Sequence, residues 1–229
     1  MVIINKNVDR WLPIVNEVRG KIPAKLILAI IKNESGGRPG IIAGVKTKYA
    51  KSLNKRDGSK ILVNKALGLM QVIPTNISHY NKNVSPVTYD DMTGNTNADA
   101  KKQIALGTYI LKNNFTWLHK LNPTIFPFPI GNLTSNQLSF GLAAYAYGNK
   151  RVLDKINELR KLKMAIRWEN LVKKWPNWGR PANNPIYYVS KIKKMMGEQS
   201  TDLNNTKKKS ILPLLLIAIS IIVMNKKRS

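Results

Sequence analysis

Residues 23–37 read Pro23-Ala24-Lys25-Leu26-Ile27-Leu28-Ala29-Ile30-Ile31-Lys32-Asn33-Glu34-Ser35-Gly36-Gly37. Leu26, Ile27, Ile30 and Ile31 recur at spacings that line one face of a helix, so Pro23 to Asn33 is predicted to be helical. Pro23 suits a first turn, where its missing N–H breaks no bond. Ser35, Gly36 and Gly37 end the helix, because glycine readily takes the left-handed conformation of a helix terminus. Glu34 stands seven residues after Ile27, four after Ile30 and three after Ile31. It therefore falls on the apolar face, at the C-terminal end. Burial and the negative end of the helix dipole both disfavour a carboxylate there. A carboxyl kept protonated near neutral pH is what a general acid requires. The same spacing equally suits a solvated glutamate at a frayed helix end, and periodicity alone does not separate the two.

Working outward, most of the chain keeps a helical period. Asp99 to Asn114 carries Ala100, Ile104, Gly107 and Leu111 on one stripe, and Ser135 to Tyr147 carries Leu138, Gly141, Leu142 and Tyr145 on another. Lys150 to Lys163 and Pro185 to Met196 supply two more helices. Alternating strand patterns are weak, and Lys46 to Asn64 reads as a polar loop with a small hairpin around Asp57-Gly58. There is no internal repeat. The fold class is all-α or nearly so, and 229 residues suffice for one well-packed domain with appendages.

The chain has no cysteine, which excludes disulfides, thiolate nucleophiles and cysteine-rich zinc sites. His79 and His119 lie forty residues apart without ligand spacing around either, so no metal site is expected. The 38 Lys plus Arg against 12 Asp plus Glu leave a formal charge of +26. Such a surface attracts polyanions, among them nucleic acid, anionic lipid and the bacterial wall. The basic residues are scattered and match no nucleic-acid-binding signature, so no specific nucleic acid is expected as a partner.

The ends differ. Met1 to Arg10 holds no apolar run long enough for a signal peptide, and residues 1–19 are expected to form an N-terminal extension to a domain at 20–197. A basic linker at 198–210 leads to Ile211 to Met224, fourteen residues interrupted only by Pro213 and Ser220. A helix of that length spans about 21 Å at about 1.5 Å per residue, against a hydrocarbon core of about 30 Å. It is short, yet lysines can snorkel and the bilayer can thin, so the run is read as a membrane segment. A hydrophobic helix buried in protein is the other reading.

Five motifs, in order, give a sharper reading. They are Ile30 to Gly37 with its Glu-Ser pair, Gly68-Leu69-Met70-Gln71 followed by Val72-Ile73-Pro74-Thr75, Gln103 to Leu111, Ala143-Ala144-Tyr145-Ala146-Tyr147-Gly148, and Pro185-Ile186-Tyr187-Tyr188-Val189. In this order and over most of residues 20–197 the chain resembles the SLT-type lytic transglycosylases of the lysozyme-like superfamily. The resemblance implies a lysozyme-like helical domain that cleaves the MurNAc-GlcNAc β-1,4 bond of peptidoglycan glycan strands without a cofactor. By the same resemblance Glu34 is the sole acid and base, and Ser35 orients it or the sugar. Met70 and Gln71 line the cleft beside the scissile bond, while Tyr145 and Tyr188 hydrogen-bond near the Glu34 carboxyl.

Two departures stand out. Ala146 stands where the family has Asn, so a hydrogen bond to Glu34 or to substrate is expected to be lost or supplied by another group. The Glu34-to-Gly68 spacing is long, implying an insertion around Tyr49 to Asn64. Trp168, Trp175 and Trp178, between Arg160 and Arg180, suit helix packing or sugar stacking. A goose-type lysozyme hydrolysing the same bond is the nearest rival, with a water held by Asp57, Asp90 or Asp91. A wall-binding structural protein with a spent cleft is the rival of another class. With no signal peptide, delivery in a phage virion or anchoring at the membrane by Ile211 to Met224 is the expected route to the cell envelope.

Overall fold

The computed structural model describes residues 5–43, 65–127, 132–179 and 184–197. Met1–Gly197 forms one unit and Glu198–Ser229 another. The second lies outside the described residues, as do the expected hairpin at Asp57-Gly58, the Tyr49 to Asn64 insertion and the Ile211 to Met224 segment. Among the described residues no helix is long and apolar enough to cross a membrane.

The protein is mainly helical. The first three helices are α1 (Lys6–Asp9), α2 (Leu12–Val18) and α3 (Ala24–Ser35), followed by α4 (Thr75–Asn83) and α5 (Tyr89–Thr93). Next come α6 (Asn97–Leu121) and α7 (Ser135–Tyr147), then α8 (Asn149–Lys161), α9 (Trp168–Lys174) and α10 (Pro185–Met195). Among the described residues the only extended pairing is two isolated antiparallel bridges, Ile42 with Leu67 and Leu67 with Val72.

The middle of α3 is apolar on every side, and Leu26 through Ile31 are all buried, as expected of a helix inside a core. Helix α6 is the scaffold on which α2, α4, α5 and α7 pack. Its start is fixed by a capping box: the Asp99 N–H donates to the Thr96 hydroxyl at 3.1 Å and the Thr96 N–H donates back to Asp99 Oδ2 at 3.0 Å. It runs on past Asn114 because Phe115 and Leu118 continue the buried stripe of Leu111. Helix α7 starts on an equivalent box of Thr134 and Gln137.

Residues 1–19 carry α1 and α2, and Val8, Trp11 and Val15 are buried in the common core. The segment expected to be an extension is thus packed against α3 and α6. Its apolar residues at i, i+3 and i+7 are the sequence signal for a packed face.

Candidate active site

Glu34 sits in the last turn of α3, and the turn after it is tightly held. Gly36 takes the left-handed conformation at the helix end (φ +63°). Ser35 is buried; its hydroxyl donates to the Ile31 carbonyl at 3.1 Å and accepts the Gly37 N–H at 3.2 Å. The hydroxyl expected to orient the carboxyl or a sugar is therefore engaged with backbone, and it shapes the turn rather than facing the cleft. The Gly37 carbonyl accepts from Trp11 Nε1 at 2.9 Å and from Arg10 Nη2 at 3.1 Å. The Arg10 guanidinium in turn lies 4.4 Å from the Trp11 ring centroid. The amino-terminal helices thereby clamp the turn beside Glu34.

Gly37 itself has φ +83°, and a Cβ there would stand 2.4 Å from the Asn7 carbonyl oxygen. A left-handed non-glycine residue costs about 1–3 kcal/mol and overpacking about as much again. Gly37→Ala is accordingly expected to lower stability by roughly 4 kcal/mol, the sum of mid-range values for these two terms. Urea denaturation would reveal it as a lower midpoint. An unchanged midpoint would mean that α1 yields freely.

Opposite α3, the segment Gly68 to Gln71 forms a tight loop closed by reciprocal Leu67–Val72 backbone bonds of 2.9 Å. Gln71 has φ +50° and its amide donates to the carbonyls of Gly68 at 2.9 Å and Ile41 at 3.1 Å. The side chain of Met70 is fully buried and packs onto Gly107 of α6, where a Cβ would meet its sulfur at 2.5 Å. Met70, expected to line the cleft, thus directs its thioether into the core. What Met70 offers instead is its carbonyl, which accepts the Tyr145 hydroxyl at 2.7 Å. Tyr145, expected to hydrogen-bond near Glu34, lies close enough for the Glu34 charge to raise its own pKa, but it spends its proton on the loop.

Gln103, which the motifs do not mark as a site residue, holds this loop from beneath. Fully buried on α6, it accepts the Leu69 N–H at 3.0 Å and donates to the carbonyls of Asp91 at 2.8 Å and Gly94 at 2.9 Å. Gly68 lies over it so closely that a Cβ would come within 2.9 Å of its side chain. The sequence does carry a signal: Gln103 is a polar residue on the buried stripe, one turn before Gly107.

Glu34 is partly exposed overall, yet its carboxyl is crowded enough that burial raises its pKa. Tyr188, the Asn33 amide (a long 3.5 Å contact) and the Lys191 ammonium pull it back, but by less. The Tyr188 hydroxyl is buried and makes no hydrogen bond of ordinary distance and angle. Its nearest electrostatic neighbours are Glu34 and Tyr145. Burial, and after it the nearby Glu34, holds both tyrosines well above the usual phenol range, so they remain neutral donors. Lys191 lies one turn beyond Tyr188 on α10, a spacing that sets both on one face.

Other residues weighed from sequence fall elsewhere. Asp91 sits below the ordinary carboxylate range: burial would raise it, but Lys102 at 2.7 Å and the capping bonds of Thr88 outweigh this. Asp91 is committed to its helix start. Asp90 is exposed, and Asp57 lies outside the described residues. Trp168 is buried edge-on to Phe140, Trp175 lies under Lys155, and Trp178 meets Tyr147. Among the described residues no group of three or more His, Asp or Glu could hold a metal ion.

The geometry unites α3, the Gly68–Gln71 loop, α7 and α10 around one carboxyl. A family model described as Transglycosylase SLT domain matches residues 12–166. It takes in Glu34, the loop and Tyr145 and stops short of Tyr188. No curated protein and no solved structure matches the chain.

Proposed function

The chain belongs to the Transglycosylase SLT domain family, whose members are peptidoglycan lytic transglycosylases, and from that premise we propose that Glu34 is its single acid and base. The observation carrying this reading is a crowded carboxyl with a raised pKa beside two neutral tyrosines, with no carboxylate among the described residues that act on it. Most glycosidases divide the work between two carboxylates. Here one carboxyl serves twice. Protonated Glu34 gives its proton to the oxygen linking N-acetylmuramic acid to N-acetylglucosamine, and that C–O bond breaks. The substrate's own N-acetyl oxygen stabilises the positive anomeric carbon. The Glu34 carboxylate then takes the proton of the C6 hydroxyl, whose oxygen closes a 1,6-anhydro ring. Proton and electron pair balance without water, and Glu34 ends as it began.

Tyr188 is the group that meets the carboxylate when Glu34 has given up its proton. Its buried hydroxyl, already the largest hydrogen-bonding influence on Glu34, is suited to donate at that moment, which limits how basic Glu34 becomes. Mass spectrometry of purified peptidoglycan digested by the wild-type chain tests the reaction. Anhydro-muropeptides are expected; reducing-end products would mean a hydrolytic lysozyme on the same fold, and no products a wall-binding protein.

We also propose that Ile211 to Met224 tethers the enzyme to a bilayer, on the strength of its unbroken lack of charge and its lysine-rich flanks. Deleting residues 211–224 is expected to move the protein from membrane to soluble fractions while wall digestion continues. Loss of folding on deletion would mean that the segment completes a core.

A further inference from the structure

A second concavity lies away from Glu34. The loop joining α2 to α3, together with α4 and α6, encloses a pocket of about 470 Å³, within the roughly 300–1,000 Å³ range of small-ligand sites. None of Glu34, Tyr145 or Tyr188 lines it. Ile22, which does, lies just before α3, and Glu34 stands ten residues after Ala24, about 15 Å along that helix at about 1.5 Å per residue.

Its walls have an unusual chemistry. Thr108 of α6 is 4% exposed, lines the pocket and has a buried hydroxyl without a hydrogen-bond partner. A helical threonine ordinarily returns that hydroxyl to the carbonyl four residues back, and Thr108 does not. A buried polar group left unmatched calls for a partner from outside the fold.

Around the rim stand Arg19, Lys21 and Lys112, and no acidic residue lines the pocket. Arg19 is fixed in place, Nε donating to Asn16 at 3.0 Å and Nη1 to the Ile22 carbonyl at 3.1 Å. Among the described residues neither Lys21 nor Lys112 is in an ion pair. Between these cations the wall is apolar, with Val18, Ile22 and the edge-to-face rings of Tyr80 and Tyr109.

A ligand matching this surface carries an anion on a body of short apolar groups, plus an amide or hydroxyl for Thr108. Peptidoglycan supplies that combination in its stem peptides, with carboxylates, methyl groups and peptide bonds, whereas a phosphate polymer would leave the apolar wall unmatched. We propose that this pocket is an accessory site that captures the carboxylate end of a peptidoglycan stem peptide. Arg19, Lys21 and Lys112 hold the anion, and Thr108 bonds a peptide group. The inference rests on peptidoglycan as the substrate, and makes the enzyme sensitive to the peptide content of the wall.

The test is an NMR titration of the full-length protein with a synthetic stem peptide ending in D-Ala-D-Ala, with its C-terminal amide, and with glycerol phosphate. The free-acid peptide is expected to shift the amides around Thr108 and Gly20. Thr108→Val, and Lys21→Ala combined with Lys112→Ala, should each weaken it by about tenfold or more, the factor that corresponds to one good polar contact. The amide peptide should bind as weakly. All these variants should cut peptide-stripped glycan strands at the wild-type rate, and Glu34→Gln should bind the peptide normally. Equal binding by the variants, shifts confined to the Glu34 cleft, no binding, or tighter binding of glycerol phosphate would each overturn the proposal. Cleavage by Glu34→Gln would instead overturn the catalytic reading and leave this one standing.

Discussion

Glu34→Gln is expected to reduce wall digestion by about a thousandfold or more, since a positioned acid–base group contributes roughly 10²–10⁴ and this one would act in both steps. Glutamine keeps the shape and can still meet Tyr188, so the fold should persist. The substitution also carries a stability signature that mere disruption would not. Burial raises the Glu34 pKa above its ordinary 4.5 in the folded chain. A raised folded pKa means that the folded state binds the proton more tightly than the unfolded state does. The stability so gained is fully present below about pH 4.5, the unfolded value, and is lost as pH rises through the folded value. At pH 7, well above the unfolded value, the wild-type chain has lost stability that it holds at pH 4, whereas the glutamine variant has no such proton to lose. The variant should melt higher than wild type at pH 7, with the gap closing at pH 4. The same proton governs catalysis, so the wild-type rate should fall as pH climbs through the folded pKa. Muropeptide release across pH 4–8 and paired melting curves measure both. Retained digestion, or a lower melting temperature at pH 7, would remove Glu34 from the role proposed for it.

The parts of this protein legible in sequence are those whose pattern is local. Ser135–Tyr147 can be bounded to the residue because a capping threonine precedes it and Gly148 ends it. Helix α3 announces itself by an apolar run ended at paired glycines. The short α1 and α2 escape a reading by periodicity, because four- and seven-residue helices draw their stability from packing rather than propensity. Trp11, whose indole reaches Gly37 across twenty-six positions, shows where that packing lies. Within the site, motif order points to the right segments but not to the atoms each presents. Nothing in Gly68-Leu69-Met70-Gln71 says that the methionine turns inward while its carbonyl meets a tyrosine seventy-five residues away. Nor does the Glu-Ser pair say that the serine hydroxyl faces backbone. Such facts depend on which side of a loop meets the core. Lys191 is hidden for a different reason: in a chain with 38 basic residues, one more lysine carries no signal.

Gln103→Leu is expected to be the most damaging change that leaves every cleft residue in place. Leucine has nearly the volume of glutamine, so the packing around α6 is retained and only polarity is lost. Three backbone groups then lose a partner at once: the buried Leu69 N–H and the part-buried carbonyls of Asp91 and Gly94. An unsatisfied buried group costs about 1–3 kcal/mol and a part-buried one, which water can reach, less, so the total should reach roughly 2–5 kcal/mol. That is a large share of the roughly 5–15 kcal/mol that holds a typical domain together. The damage has a direction as well. Leu69 adjoins Met70, and the Met70 carbonyl is what Tyr145 holds. Releasing the loop frees Tyr145 to turn toward Glu34, where its hydroxyl would stabilise the carboxylate and lower the pKa that catalysis relies on. At temperatures where the variant is still folded, its digestion optimum should therefore move to lower pH, a change that simple loss of folded protein cannot produce. Urea denaturation reads the first effect and the pH profile of muropeptide release the second. A lower midpoint with an unmoved profile would make Gln103 a strut for the fold alone, whereas both shifts together would make it the residue that positions the active-site loop.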